Sequence, residues 1–260
     1  MKFLAFAVAI TVVVLVVPQR VTAQANDPEE VMFQTADGVN VYGDLYATDD
    51  RGAPIVLLFH QAGSNARAEY GSIVPRLIER GYSVLAVDQR SGGTRLGGVN
   101  RTASALGGGS PSYCDAYPDL EAALAFVIAN GFDGPHIVWG SSYSGALVIR
   151  LAAEHPEQVD AVLAFSPASG DPMGACKPGP FLESLETPTL ALRPASEMEN
   201  PRVQAQLEQF QELGHATYVA ENGVHGSSML NPERVEGSVE ETWTAVEGFL
   251  GQVESVMAGD

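Results

Sequence analysis

The chain has 260 residues and carries 32 acidic against 14 basic side chains, a formal charge of −18 at neutral pH. Phosphate recognition needs clustered positive charge, so this balance argues against nucleic acid as a partner. The length suits a targeting segment followed by one α/β domain, and no repeat or low-complexity linker divides it.

Lys2 precedes an apolar run over 3–17, which Pro18 ends and the small residues of 21–25 follow. That is the layout of a secretory signal peptide. The run is shorter than the ~20 residues that span a bilayer. Residues 1–25 are therefore expected to be removed, leaving a domain over 26–260 that is secreted or periplasmic and has no stable membrane span.

Residues 31–35 and 39–46 read as a strand pair around Asp37-Gly38, a hairpin signal. A buried strand over 54–60 follows. Residues 67–80 have helical periodicity, with Tyr70, Ile73, Val74, Leu77 and Ile78 on one side and Pro75 inside. A strand over 82–88 leads into a Gly-rich loop over 91–112. That loop lacks both a lysine and the G-x-x-x-x-G-K-[ST] pattern, so it reads as lining a site rather than cradling phosphate. A helix over 118–129 closes at Asn130-Gly131.

Strand 136–139 and helix 146–154 come next, then strands 159–165 and 189–192, helix 201–213, strand 217–219 and helix 239–253. Strands alternating with helices after a hairpin predict an α/β fold, with a mostly parallel central sheet covered on both faces. Sites in such sheets lie beyond the C-terminal strand ends. Cys114 and Cys176 are the only cysteines. An even count in an exported chain predicts one disulfide, here at the rim of the pocket; two buried thiols are the alternative. No spaced His/Cys/Asp cluster suggests a metal.

The segment Trp139-Gly140-Ser141-Ser142-Tyr143-Ser144-Gly145 turns sharply from strand to helix. Such a turn projects a serine hydroxyl clear of the sheet, above a helix N-terminus. A serine nucleophile also needs a base, an acid to orient that base, and amide donors for the oxyanion. The G-x-S elbow, a later acid and a final histidine resemble the α/β-hydrolase family over essentially the whole mature chain. Ser144 stands where the motif usually has its last glycine.

The resemblance implies an α/β-hydrolase fold and a serine hydrolase that needs no cofactor. Ser142 matches the nucleophile, with Ser141 and Ser144 as alternatives. His225, in Asn222-Gly223-Val224-His225-Gly226, matches the base; His60, His136, His155 and His215 read as structural. Glu197 takes the place of the acid, with Asp171 and Glu199 as alternatives. His60-Gln61-Ala62 is similar to the family's His-Gly-x loop, with Gln61 in place of glycine. It implies that the backbone N–H groups of Ala62 and Tyr143 serve the oxyanion, with Gln61 as a further contributor.

The segment 166–186 is too short for a large lid domain. The compact core resembles dienelactone hydrolase-like and esterase-like members, with Ser142 replacing a cysteine. The expectation is an exported carboxylic ester hydrolase that acts on a small-molecule ester through an acyl-enzyme. A peptidase or amidase of the same fold, or a noncatalytic binding protein built on it, are the alternatives.

Overall fold

The computed structural model describes residues 27–109, 111–257 and 259. The expected signal peptide lies outside them. Among the described residues eight strands form one sheet: β1 (Glu29–Gln34), β2 (Asn40–Tyr46), β3 (Ile55–Phe59), β4 (Ser83–Asp88), β5 (His136–Ser141), β6 (Ala161–Phe165), β7 (Thr189–Pro194) and β8 (Ala216–Ala220). Their spatial order is β1-β2-β4-β3-β5-β6-β7-β8. β2 pairs antiparallel with β1 and β4, and the remaining pairings are parallel. The helices are α1 (Ala66–Tyr70), α2 (Val74–Glu79), α3 (Arg101–Ala105), α4 (Tyr117–Ala129), α5 (Tyr143–Glu154), α6 (Gly179–Leu182), α7 (Pro201–Glu212) and α8 (Glu240–Met257).

The central strands are apolar and buried at every position, Ile-Val-Leu-Leu-Phe in β3 and Ala-Val-Leu-Ala-Phe in β6. A strand covered on both faces requires that pattern. Alternation then decides which layer each side chain joins. Ile55, Leu57 and Phe59 pack with Leu120, Leu147 and Phe210 of α4, α5 and α7. Val56 and Leu58 pack on the other face with Tyr70, Leu77 and Trp243 of α1, α2 and α8. Trp139 is fully buried there and stacks on Phe165, with ring centroids 4.6 Å apart. Burying an aromatic side chain of this size stabilises the fold by about 2–3 kcal/mol.

The crossovers position the site. β3 and β5 are neighbours, with Phe59 opposite Gly140. The chain leaves β3 toward the α1–α2 layer and leaves β5 toward the α5 layer. Loops departing to opposite faces open a crevice at the C-terminal strand ends. Between β6 and β7 lie only a 3-10 turn (Asp171–Cys176) and the four-residue α6, so no large lid domain covers the crevice.

Two expectations are corrected. The helix over 67–80 is two helices, because α1 ends at Tyr70 and α2 starts at Val74 with Pro75 in its first turn. Pro75 has no N–H for the Gly71 carbonyl, and in a continuous helix its ring would crowd that carbonyl, which favours a break with Pro75 in the first turn of α2. The Gly-rich loop contains α3, started by Asn100, whose side chain accepts from the Ala103 N–H at 2.7 Å. α3 is held to the sheet by Arg101, which donates to buried Asp44 at 2.7 Å and to Asp88 at 2.6 Å, and by Thr102 Oγ1, which accepts from the Tyr42 N–H at 2.9 Å; Asp44 also accepts from Arg67 at 2.8 Å.

Cys114 and Cys176 are joined as a disulfide, with Cα atoms 5.5 Å apart. The bond lies against α5 beyond the elbow, where Arg150 Nη1 is 3.2 Å from Cys176 Sγ. Tyr113, beside Cys114, stacks on Tyr143 at a centroid distance of 4.9 Å.

Candidate active site

At the end of β5 the chain reverses so closely that a Cβ on Gly140 would lie 2.2 Å from the Ser144 carbonyl oxygen. Only glycine lets the turn close. Ser142 then takes φ 61° and ψ −116°, a conformation costing a residue with a side chain about 1–3 kcal/mol. Hydrogen bonds to the β6 end hold it: the Ser142 N–H donates to the Phe165 carbonyl at 2.8 Å, and its carbonyl accepts from Ala168 at 3.0 Å.

Ser142 is partly exposed, whereas Ser141 and Ser144 are buried. Ser144 Oγ donates to the His60 carbonyl at 2.7 Å and lies 2.9 Å from Gln89 Nε2. Ser141 Oγ accepts from the Ser227 N–H at 2.9 Å. Both flanking hydroxyls are committed inside the fold.

His225 follows β8 with its ring half exposed, and its Nδ1 is 2.5 Å from Glu197 Oε1. Glu197 stands in the 3-10 turn Ala195–Glu199 directly after β7. Oε1 also accepts from Ser166 Oγ at 3.0 Å, while Oε2 accepts from Arg193 Nη1 at 2.7 Å. Arg193 is buried at the end of β7 and donates as well to the Pro167 carbonyl and to Gln206 Oε1. Burial opposes ionisation of Glu197, but the hydrogen bonds from His225 and Arg193 outweigh it and hold the carboxyl below its usual range. An ionised carboxylate on Nδ1 keeps the imidazole proton there and leaves Nε2 as the basic nitrogen.

No hydrogen bond joins Ser142 to His225. Their loops meet through the adjacent residues. Gly226 packs on Ser141 so tightly that a Cβ there would fall 2.3 Å from Ser141 Oγ, at φ +69°. Trp139 Nε1 donates to Ser227 Oγ at 2.8 Å and seals the same junction. Neither alternative acid is hydrogen-bonded to His225: Asp171 is exposed and paired with Lys177 at 2.7 Å, and Glu199 is exposed at the end of the turn.

The loop after β3 is held by its interior. His60 is fully buried, and its Nε2 accepts from the Gln89 N–H at 3.0 Å, so Nδ1 carries the proton and donates to the Gln61 carbonyl at 2.8 Å. The Ser64 N–H donates to the same carbonyl at 3.1 Å. The Ala62 N–H donates to no protein acceptor among the described residues. The Tyr143 N–H is the first of α5 and has no partner within the helix.

Arg193 and Ser166 escaped the sequence reading. An arginine ending the apolar strand Thr189–Pro194, four residues before a carboxylate, was the available signal for one; Ser166 carried none. A cavity of about 730 Å³ adjoins His225 on the β6–β7 side, bordered by Ser166, Pro167, Asp171, Lys177 and Arg202. Among the described residues, Glu121, Glu154 and His155 place possible metal-ligating atoms within 4.8 Å of one another. They lie outside this site, and Glu154 already binds Arg150 at 3.0 Å and Tyr117 at 2.6 Å.

A mostly parallel sheet that reverses between β3 and β5, with a serine elbow at the reversal and an N-terminal antiparallel hairpin, defines an α/β hydrolase. Residues 51–228 match the family described as serine aminopeptidase, S33, and the chain belongs to that family. Lipase LipV of Mycobacterium tuberculosis is 45% identical over 47 residues, a match spanning 18% of this chain and 18% of that protein. An esterase from Pyrococcus furiosus superposes with a TM-score of 0.65 at 19% identity, covering 87% of this chain and 91% of the other. A dienelactone hydrolase from Anabaena variabilis does so with 0.55 at 18% identity, covering 75% and 86%. At these identities the two solved structures share the fold.

Proposed function

We propose that the protein is an exported serine hydrolase that cleaves carboxylic esters through an acyl-enzyme. The observation carrying this reading is the partly exposed, strained Ser142 on an elbow that packs directly against the loop of a hydrogen-bonded His225–Glu197 pair. Ser142 Oγ attacks the ester carbonyl while His225 Nε2 takes its proton. Glu197, held ionised by Arg193, keeps His225 in the productive tautomer and stabilises the imidazolium. The Ala62 and Tyr143 amides receive the developing oxyanion. His225 protonates the leaving alcohol, then activates the water that releases the acid. None of these steps uses a cofactor. A secreted or periplasmic location fits the reading of residues 1–25 and the disulfide.

The family description makes amide hydrolysis the second reading. An aminopeptidase must receive a substrate ammonium. The cavity beside His225 is lined by Arg193, Arg202 and Lys177 against Asp171 and Glu197, and both carboxylates are already paired, with Lys177 and Arg193, which makes it a poor receiver for a cation. The deciding experiment is hydrolysis of p-nitrophenyl esters of graded chain length beside aminoacyl p-nitroanilides, with labelling by a fluorophosphonate. Ester turnover and labelling that both vanish in Ser142→Ala are expected, with a loss of kcat of roughly 10⁴-fold or more. Anilide turnover far above ester turnover would favour the peptidase. A folded protein that neither turns over nor labels would be a noncatalytic binding protein.

A further inference from the structure

We propose that Glu69 is a positioning residue of the oxyanion loop. It acts by clamping Gln61, and the proposal rests on the reading of Ser142, His225 and Ala62 given above. Glu69 lies in α1, outside the Ser142–His225–Glu197 constellation, and is fully buried. No Lys or Arg pairs with it among the described residues. A buried carboxylate is costly unless donors satisfy it. Here both donors belong to a single residue. The Gln61 N–H donates to Glu69 Oε2 at 2.9 Å and Gln61 Nε2 donates to Oε1 at 3.3 Å.

The consequence for the loop follows from peptide geometry. The Gln61 carbonyl is fixed by His60 Nδ1 and the Ser64 N–H. Its own N–H and its side chain are fixed by Glu69. The Gln61–Ala62 peptide is planar and trans, so its N–H points opposite to its carbonyl. Holding the Gln61 carbonyl toward the interior therefore aims the Ala62 N–H outward, where it meets no protein acceptor. Gln61 Nε2 also lies 3.5 Å from Ser228 Oγ, three residues past His225, and Arg234 Nη1 donates to that hydroxyl at 3.1 Å. The clamp thus ties the loop of the oxyanion donor to the loop of the base.

A donor that is aimed matters when charge develops on the substrate oxygen, and little to ground-state binding. The test uses the full chain as secreted. Removing one oxyanion donor costs about 10²–10³ in kcat, so loosening one with Glu69→Ala should lower kcat by about 10- to 100-fold with KM within about twofold. The inhibition constant of a trifluoromethyl ketone, whose adduct places an oxyanion in the same hole, should rise by the factor by which kcat/KM falls. Glu69→Gln retains an acceptor for the Gln61 N–H and should recover most of the loss.

Gln61→Ala keeps the backbone contact to Glu69 and removes both side-chain contacts. It should lower kcat about 5- to 10-fold, and it decides the matter should Glu69→Ala not fold. Folded variants with wild-type kcat and ketone affinity, or with changes in KM or melting temperature alone, would reduce Glu69 to packing and overturn the proposal. Ser142→Ala is the separate control: full activity there would sink the underlying assignment, whereas an inactive Ser142→Ala beside an unimpaired Gln61→Ala would sink only the clamp.

Discussion

Glu197 gathers three side-chain donors on two oxygens, and one of them, Arg193, is charged and buried. That arrangement makes the pH response legible. The folded-state pKa of Glu197 is depressed, so the stabilisation is fully present above its unfolded value and is lost as pH falls through the folded one. Arg193→Met removes the charged partner and lets the carboxyl titrate higher. The acidic limb of the kcat/KM profile should move to higher pH, and stability should fall by about 3 kcal/mol, the cost of breaking a buried pair; a pH–rate series with denaturant melts checks both. Glu197→Gln keeps the shape but not the charge. It should lower kcat by roughly 10³–10⁴-fold, the scale known for the orienting acid of such triads. At the neighbouring junction, Gly226→Ala puts a methyl group 2.3 Å from Ser141 Oγ at a positive φ. Ester turnover should drop more than tenfold as the His225 loop is pushed off the elbow, with a parallel fall in melting temperature.

At the scale of elements, the β5–Ser142–α5 unit is the part most dependent on one residue. Gly140→Ala would drive α5 away from β5 at its first turn, because the Ser144 carbonyl is 2.2 Å from the new Cβ. The variant should fail to accumulate as folded protein, seen as loss of cooperative unfolding by circular dichroism. This unit was readable in advance because two strong signals coincide, a buried apolar strand and small residues flanking a serine. The expected order Ser142, Glu197, His225 comes from the resemblance to the α/β-hydrolase family; each of the three follows the end of a strand, and a parallel sheet gathers strand ends at one edge.

Other features carried no comparable local signal. Pro75 was visible within the helical pattern, but the pattern did not say whether it would kink the helix or divide it. Asn100 was one polar residue among many in a glycine-rich stretch until α3 made it a cap. Ser166 and Glu69 acquire their roles through contacts 8 to 60 residues away in sequence, and no periodicity encodes such contacts.

For the whole molecule, the charge of −18 is tempered locally where arginines knit distant segments together. Asp44 is buried, which opposes its ionisation, yet Arg67 and Arg101 outweigh that and hold its carboxyl below the usual range. Asp44→Asn should cost about 3 kcal/mol near pH 7. The gap to wild type should close as pH falls below the usual carboxylate range and through the lowered pKa of Asp44, where the folded parent protonates as well; urea melts across pH test this. Replacing both Cys114 and Cys176 by serine should lower stability by about 4 kcal/mol, from the loop closed over a sequence separation of 62.

That bond has a further consequence. It makes the middle of the chain a covalent ring that encloses β5, Ser142, α5 and β6, while Glu197 and His225 stand on the open tail behind it. Partial unfolding should therefore begin outside the ring, and departure of the tail would leave Ser142 behind on an intact elbow. On gentle heating, turnover of the ester substrates proposed above should disappear before hydrogen exchange reaches the amides of β5 and β6. Cooling should restore activity by redocking the tail alone. The protein would then switch off by losing His225 and Glu197, with Ser142 still in place.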